Sequence, residues 1–140
     1  MTIHETSCTW DSGMAFDAIV DGHTIRLDTK AAGGGTDSGP SPKPLLLVAL
    51  AGCTAMDMIS LLQKMRVDFK NLRVKSQGDL TEEHPRIYSK IKLIYEVIGG
   101  NPEKEKVEKA VALSQEKYCG VAAMLGKGSE ISWEIKYLAE

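Results

Sequence analysis

Hydrophobic and polar positions change their period several times along the 140 residues, and the changes mark out the elements. Residues 2–10 are rich in β-formers, Asp11-Ser12-Gly13 reads as a turn, and residues 14–20 form a second strand. Asp21-Gly22 is a two-residue hairpin signal leading into His23–Leu27, so residues 1–30 predict a meander of strands. A glycine-rich loop, residues 31–41, reads as flexible, a plain connector sooner than a loop that lines a site. The run from Leu45 to Leu62 is apolar on nearly every side and predicts a buried central helix over residues 42–66. Ser41 would be its cap, Pro42 its first turn, and Lys64 and Arg66 would suit its C-terminal end.

Residues 67–98 hold two strands, about 72–80 and 86–97. In the second, Ile87, Ser89, Ile91, Leu93, Tyr95 and Val97 share one face, while Lys90, Lys92 and Glu96 occupy a mostly wet one. Gly99-Gly100-Asn101-Pro102 then breaks the strand and opens an amphipathic helical region, 101–126, with Asn101 as cap and Pro102 in the first turn. Val107, Ala110, Val111, Ser114 and Tyr118 form its apolar stripe. A last strand, 129–138, alternates Ile131, Trp133, Ile135 and Tyr137 with polar residues. The order predicts a single α+β domain over residues 1–140 with a largely antiparallel sheet.

Composition narrows the function. A net charge of −2 with interspersed signs offers no basic stripe for nucleic acid. The Leu45–Leu62 run is at the lower length limit for a membrane span, and Asp57 inside it would cost on the order of 3 kcal/mol in a bilayer. No secretory signal is visible at the N-terminus, which points to the cytoplasm, and three cysteines leave a complete disulfide framework improbable. A disulfide in such a chain is transient more often than structural.

Two cysteines stand in distinct contexts. Cys53 lies in Leu50-Ala51-Gly52-Cys53-Thr54-Ala55-Met56-Asp57, and its alternatives are plain packing or a reactive thiol beside the space that Gly52 leaves. Asp57 lies one turn on, at i+4. An anion raises a neighbouring thiol's pKa, so Asp57 reads as structural, and activation would need a cation or hydrogen-bond donors. Cys119 falls at the break between two helical segments, where free N–H groups favour a thiolate; packing is equally open. Cys8 reads as incidental. His4, His23 and His84 lack ligand spacing with one another or with Cys, so neither a metal site nor a cofactor motif is read.

At these residues the chain resembles the OsmC/Ohr family of osmotically induced and organic-hydroperoxide-resistance proteins, in its OsmC-like branch. The resemblance rests on Gly39-Pro40-Ser41-Pro42 leading into Leu50–Asp57, on Leu113-Ser114-Gln115-Glu116-Lys117-Tyr118-Cys119, and on Ile131-Ser132-Trp133-Glu134-Ile135. It implies an intertwined homodimer with central helices packed together. It also implies reduction of organic hydroperoxides without metal or cofactor. Cys53 would attack, Cys119 would resolve the sulfenic acid to a disulfide, and a dithiol such as a lipoyl group would restore both.

The family's activating arginine and glutamate are missing here. The corresponding stretches read Ser12-Gly13-Met14-Ala15 and Pro42-Lys43-Pro44-Leu45, leaving Arg26 and Lys43 as candidate cations. Their loss motivates an alternative, a non-catalytic dimer that binds a small molecule or senses redox state.

Overall fold

In the computed structural model, which describes residues 2–140, the chain separates into two units, Met1–Leu46 and Leu47–Glu140, each with its own sheet. The first contains β1 (Ser7–Ser12), β2 (Ala15–Val20) and β3 (His23–Leu27), antiparallel in chain order. Asp21 and Gly22 both take positive φ, 50° and 76°, the conformation that a tight two-residue hairpin requires. β1 starts at Ser7, not residue 2, and continues through Asp11-Ser12. The turn falls at Gly13, whose φ is 55° and whose carbonyl accepts from Trp10 Nε1 at 2.9 Å.

The glycine-rich loop has a hydrogen-bonded centre of its own. It folds around the buried carboxylate of Asp28, which accepts from the Thr29 amide (2.7 Å), the Thr36 hydroxyl (3.1 Å), and the amide and hydroxyl of Ser38 (3.0 and 2.5 Å). These donors, Ser38 foremost, hold the Asp28 carboxyl well below the usual carboxylate range. Gly35 is required for the close approach, because a Cβ there would stand 2.1 Å from the Thr29 carbonyl oxygen.

Helix α1 spans Pro44–Lys64. It begins at Pro44, not Pro42, because the amides of Leu45 and Leu46 close a turn onto the carbonyls of Pro42 and Lys43 (both 3.0 Å). Its C-terminus is a Schellman motif. The Val67 amide reaches Leu62 O (3.0 Å), the Arg66 amide reaches Gln63 O (3.1 Å), and Arg66 adopts φ 58°. Within one chain only the stripe Leu50, Thr54, Met58 and Leu62 is fully covered, while Val48 and Met56 are 62% and 77% exposed. The expectation of burial on nearly all sides is therefore met on one face.

The second sheet has the order β4 (Asn71–Leu80), β5 (Tyr88–Ile98), β6 (Glu130–Leu138). β4 and β5 are antiparallel, and β6 runs parallel to β5. A parallel neighbour demands a crossover, and α2 (Lys104–Leu113), a π-helical turn (Ser114–Tyr118) and α3 (Gly120–Leu125) supply it. On β5 the residues Ile91, Leu93, Tyr95 and Val97 join one core with Leu50, Met58 and Leu62 of α1 and Val107, Ala110 and Val111 of α2. Truncating one of these leucines to alanine costs about 2–5 kcal/mol.

The opposite face of β5 is less wet than its lysines suggested. Glu96 is buried between two β4 cations, Arg73 and Lys75, and Ile94 is buried too. The α2 cap is Glu103, not Asn101. Gly99 and Gly100 turn the chain through positive φ, the Asn101 amide donates to Asp68 Oδ2 at 3.0 Å, and the helix starts at Lys104.

Candidate active site

Helical spacing puts Cys53 and Asp57 on one side of α1, one turn apart. The crossover delivers the third group. The π-helical turn ends as the Cys119 amide reaches back to Ser114 O at 2.7 Å, and Cys119 leaves helical geometry at φ −79°, ψ 98° to cap α3. The sulfur atoms of Cys53 and Cys119 and a carboxylate oxygen of Asp57 then lie within 4.8 Å of one another.

The two thiols differ in environment. Cys119 is 3% exposed, whereas Cys53 is partly open. Burial pushes the Cys119 thiol up to about 11, reinforced by the neighbouring Cys53 thiol and by the negative charge of Asp57. The Ala122 amide donates to Cys119 Sγ at 3.4 Å and offsets part of the rise. Near neutral pH Cys119 is thus held as a thiol. A Cβ on Gly52 would meet nothing within 4 Å, so the position itself is open.

Asp57 is fixed by a buried chain of hydroxyls. Ser114 Oγ donates to Asp57 Oδ2 (2.8 Å), Thr54 Oγ1 lies 2.7 Å from both Ser114 Oγ and Tyr95 Oη, and Gln115 Nε2 donates to Thr54 (3.2 Å) and Tyr95 (3.1 Å). An ionised carboxylate only accepts and an amide nitrogen only donates, so these two ends set the direction. Protons point from Tyr95 to Thr54 to Ser114 to Asp57, and every member is satisfied. Burial pushes the Tyr95 phenol up to about 12, which keeps it a donor.

The sequence brought out Cys53 with Asp57 one turn on, and the family resemblance paired Cys53 with Cys119. Thr54, Tyr95 and Gln115 went unnoticed, although a hydroxyl on each of three apolar stripes (Thr54, Tyr95, Ser114) was a usable signal. Asp57 and Tyr118 also line a cleft of about 190 Å³ with Ser60, Leu61 and Lys64. The candidate cations belong to the unit Met1–Leu46. Arg26 donates to Asp17, Asp11 and Ser38 (3.1 Å each), and Asp17 and Asp11 raise its pKa further. Lys43 sits in the turn before α1 and lines a cleft with Ser41, Pro42 and Leu46. Cys8, His4, His23 and His84 are exposed.

Comparison with known proteins connects these features. A family described as OsmC-like protein matches residues 35–134. The chain is 38% identical over 131 residues to Protein YhfA of Escherichia coli K12, covering 93% of this chain and 95% of that one. A solved structure of a hypothetical protein from Aquifex aeolicus VF5 superposes with a TM-score of 0.84 at 32% identity, over 98% of each chain. The organic hydroperoxide resistance protein OhrB of Bacillus subtilis superposes at 0.65 and 15% identity, over 96% of this chain and 98% of that one, a likeness of fold.

Proposed function

From the premise that this chain belongs to the OsmC-like protein family, we propose that it reduces organic hydroperoxides with Cys53 and Cys119 as a thiol pair, as one OsmC-like domain acting in the cytoplasm as a homodimer. The observation that carries this reading is the meeting of the two sulfurs and Asp57 within 4.8 Å, with one thiol open and the other buried. The peroxide reaches Cys53, the accessible sulfur. Its thiolate attacks the O–O bond, forming Cys53–SOH and releasing the alkoxide, which leaves as the alcohol after taking a proton. Cys119, still protonated, condenses with the sulfenic acid; an S–S bond forms and water departs. Asp57, held by Ser114, is the carboxylate placed to accept the Cys119 proton as that sulfur attacks. A dithiol, a lipoyl group for example, then reduces the disulfide by exchange. Val48, Met56 and Ile59 leave apolar surface on α1 that a second copy would cover.

Intact mass and peptide mapping after one equivalent of tert-butyl hydroperoxide test this reading. The expected products are a Cys53–Cys119 disulfide in the native protein and a trappable sulfenic acid at Cys53 in Cys119→Ser. No such disulfide, with peroxide consumption unchanged in Cys53→Ser, refutes it.

The engagement of Arg26 by Asp11, Asp17 and Ser38 favours a second reading, a dimer that senses redox state or binds a small molecule without turnover. Stoichiometric oxidation by peroxide with no catalytic cycle in the presence of excess dihydrolipoamide separates the two.

A further inference from the structure

We propose that the Cys53, Asp57 and Cys119 cluster is also a binding site for a thiophilic divalent cation, zinc being the fitting one, and that metal occupancy and disulfide formation exclude each other. Three donor atoms within 4.8 Å of one another form an S,S,O set that needs only a modest contraction to reach Zn–S of about 2.3 Å and Zn–O of about 2.0–2.2 Å. Their scaffold suits the task. Cys53 and Asp57 stand at i and i+4 on a helix, the spacing by which a single helix presents two ligands to one metal. Cys119 arrives from a separate element and closes the third side.

The outer shell is already in place. Ser114 Oγ donates to Asp57 Oδ2, which leaves the carboxylate's other oxygen free to coordinate, and the Ala122 amide points at Cys119 Sγ. Two thiolates select zinc over calcium or magnesium, which prefer all-oxygen cages. Three protein ligands leave a fourth position on the partly open side of Cys53, for water or a small anion. On binding, both sulfurs coordinate as thiolates: two Zn–S bonds form, and any S–H bond still present breaks with its proton passing to solvent. No electrons are transferred. Sequence spacing could not disclose the set because β4 and β5 separate its third ligand from the other two along the chain.

The test uses the full-length reduced protein, titrated with zinc against a chromophoric chelator and, separately, with cobalt(II). The expected result is one metal per chain, with thiolate-to-cobalt charge-transfer absorption and the visible bands of tetrahedral cobalt. Ser114→Ala, which loosens the carboxylate, weakens zinc binding about 10–100-fold, and Asp57→Asn weakens it at least as much. Circular dichroism verifies that each variant is folded. A further arm needs no substitution: oxidation of the native protein with diamide to the Cys53–Cys119 disulfide abolishes binding, and zinc added first blocks that oxidation. Octahedral cobalt without charge transfer, or unchanged zinc affinity in Cys53→Ser/Cys119→Ser, overturns the inference. This inference and the peroxide reading fail independently. A disulfide formed by hydroperoxide in a protein that ignores zinc overturns only the metal site, and tight zinc binding without peroxide chemistry overturns only the peroxide reading.

Discussion

Replacing Thr54 with valine removes one hydroxyl from a fully buried position without changing side-chain shape. In the native protein Thr54 Oγ1 accepts from Tyr95 and Gln115 and donates to Ser114. In Thr54→Val the Tyr95 O–H is left in the core with no acceptor, and a buried donor in that state costs about 1–3 kcal/mol. Ser114 still donates to Asp57 and Gln115 still donates to Tyr95, so their losses are smaller. The expected destabilisation is about 2–3 kcal/mol. Tyr95→Phe should cost only about 1 kcal/mol, because Thr54 keeps Gln115 as donor and Ser114 as acceptor. The double variant orphans no hydroxyl proton; Gln115 Nε2 loses both acceptors there, but it is only half-buried and can turn to water, so the loss should still fall short of the sum, by about 1 kcal/mol. Urea unfolding at one fixed protein concentration measures all four corners of the cycle. Additive costs, or a Thr54→Val cost under about 0.5 kcal/mol, would refute the directed chain of protons assigned here.

Other expectations follow from single residues. The Asp28 carboxyl titrates lower in the folded protein than its unfolded value of about 3.9, so its contribution is complete above that pH and lost as pH falls below it. Thermal unfolding followed from pH 6 to pH 2 should therefore show a shallower acid-side decline in Asp28→Asn than in the native protein. Arg66 occupies a left-handed position at the end of α1, so Arg66→Gly should raise stability by roughly 0.5–1 kcal/mol, read from the urea midpoint at constant slope; destabilisation would mean that the arginine side chain makes a compensating contact.

Much of the architecture was legible because short-range rules governed it. Asp21-Gly22 admits few backbone conformations other than the hairpin found, and the alternation at Ile91, Leu93, Tyr95 and Val97 marked the core face of β5. Boundaries were read less well where long-range hydrogen bonds decided them. Asn101 has the chemistry of a helix cap, but the chain there is tied to Asp68, distant in sequence, and the helix opens at Lys104. Asp28 gave no local sign that it would organise the glycine-rich loop, since its donors are spread over Thr29 to Ser38. At the site, motif resemblance located both thiols, yet the roles of Thr54 and Tyr95 depend on three elements meeting. Asp57 was read as structural; the hydroxyl chain shows how it is held, and its distance from both sulfurs gives it chemical opportunities besides.

The parallel docking of β6 on β5 has a consequence for how the chain acquires its site. Lys90 pairs with Glu130, and everything between them must be laid down before that strand can close the sheet. Pairings of such long sequence separation raise contact order and slow folding. A chain leaving the ribosome exposes Cys53 before Cys119 has been synthesised, and no shelter for either exists until the crossover settles. Until Cys119 follows it, Cys53 has no second thiol of the site beside it, and until the strand closes neither has its folded surroundings.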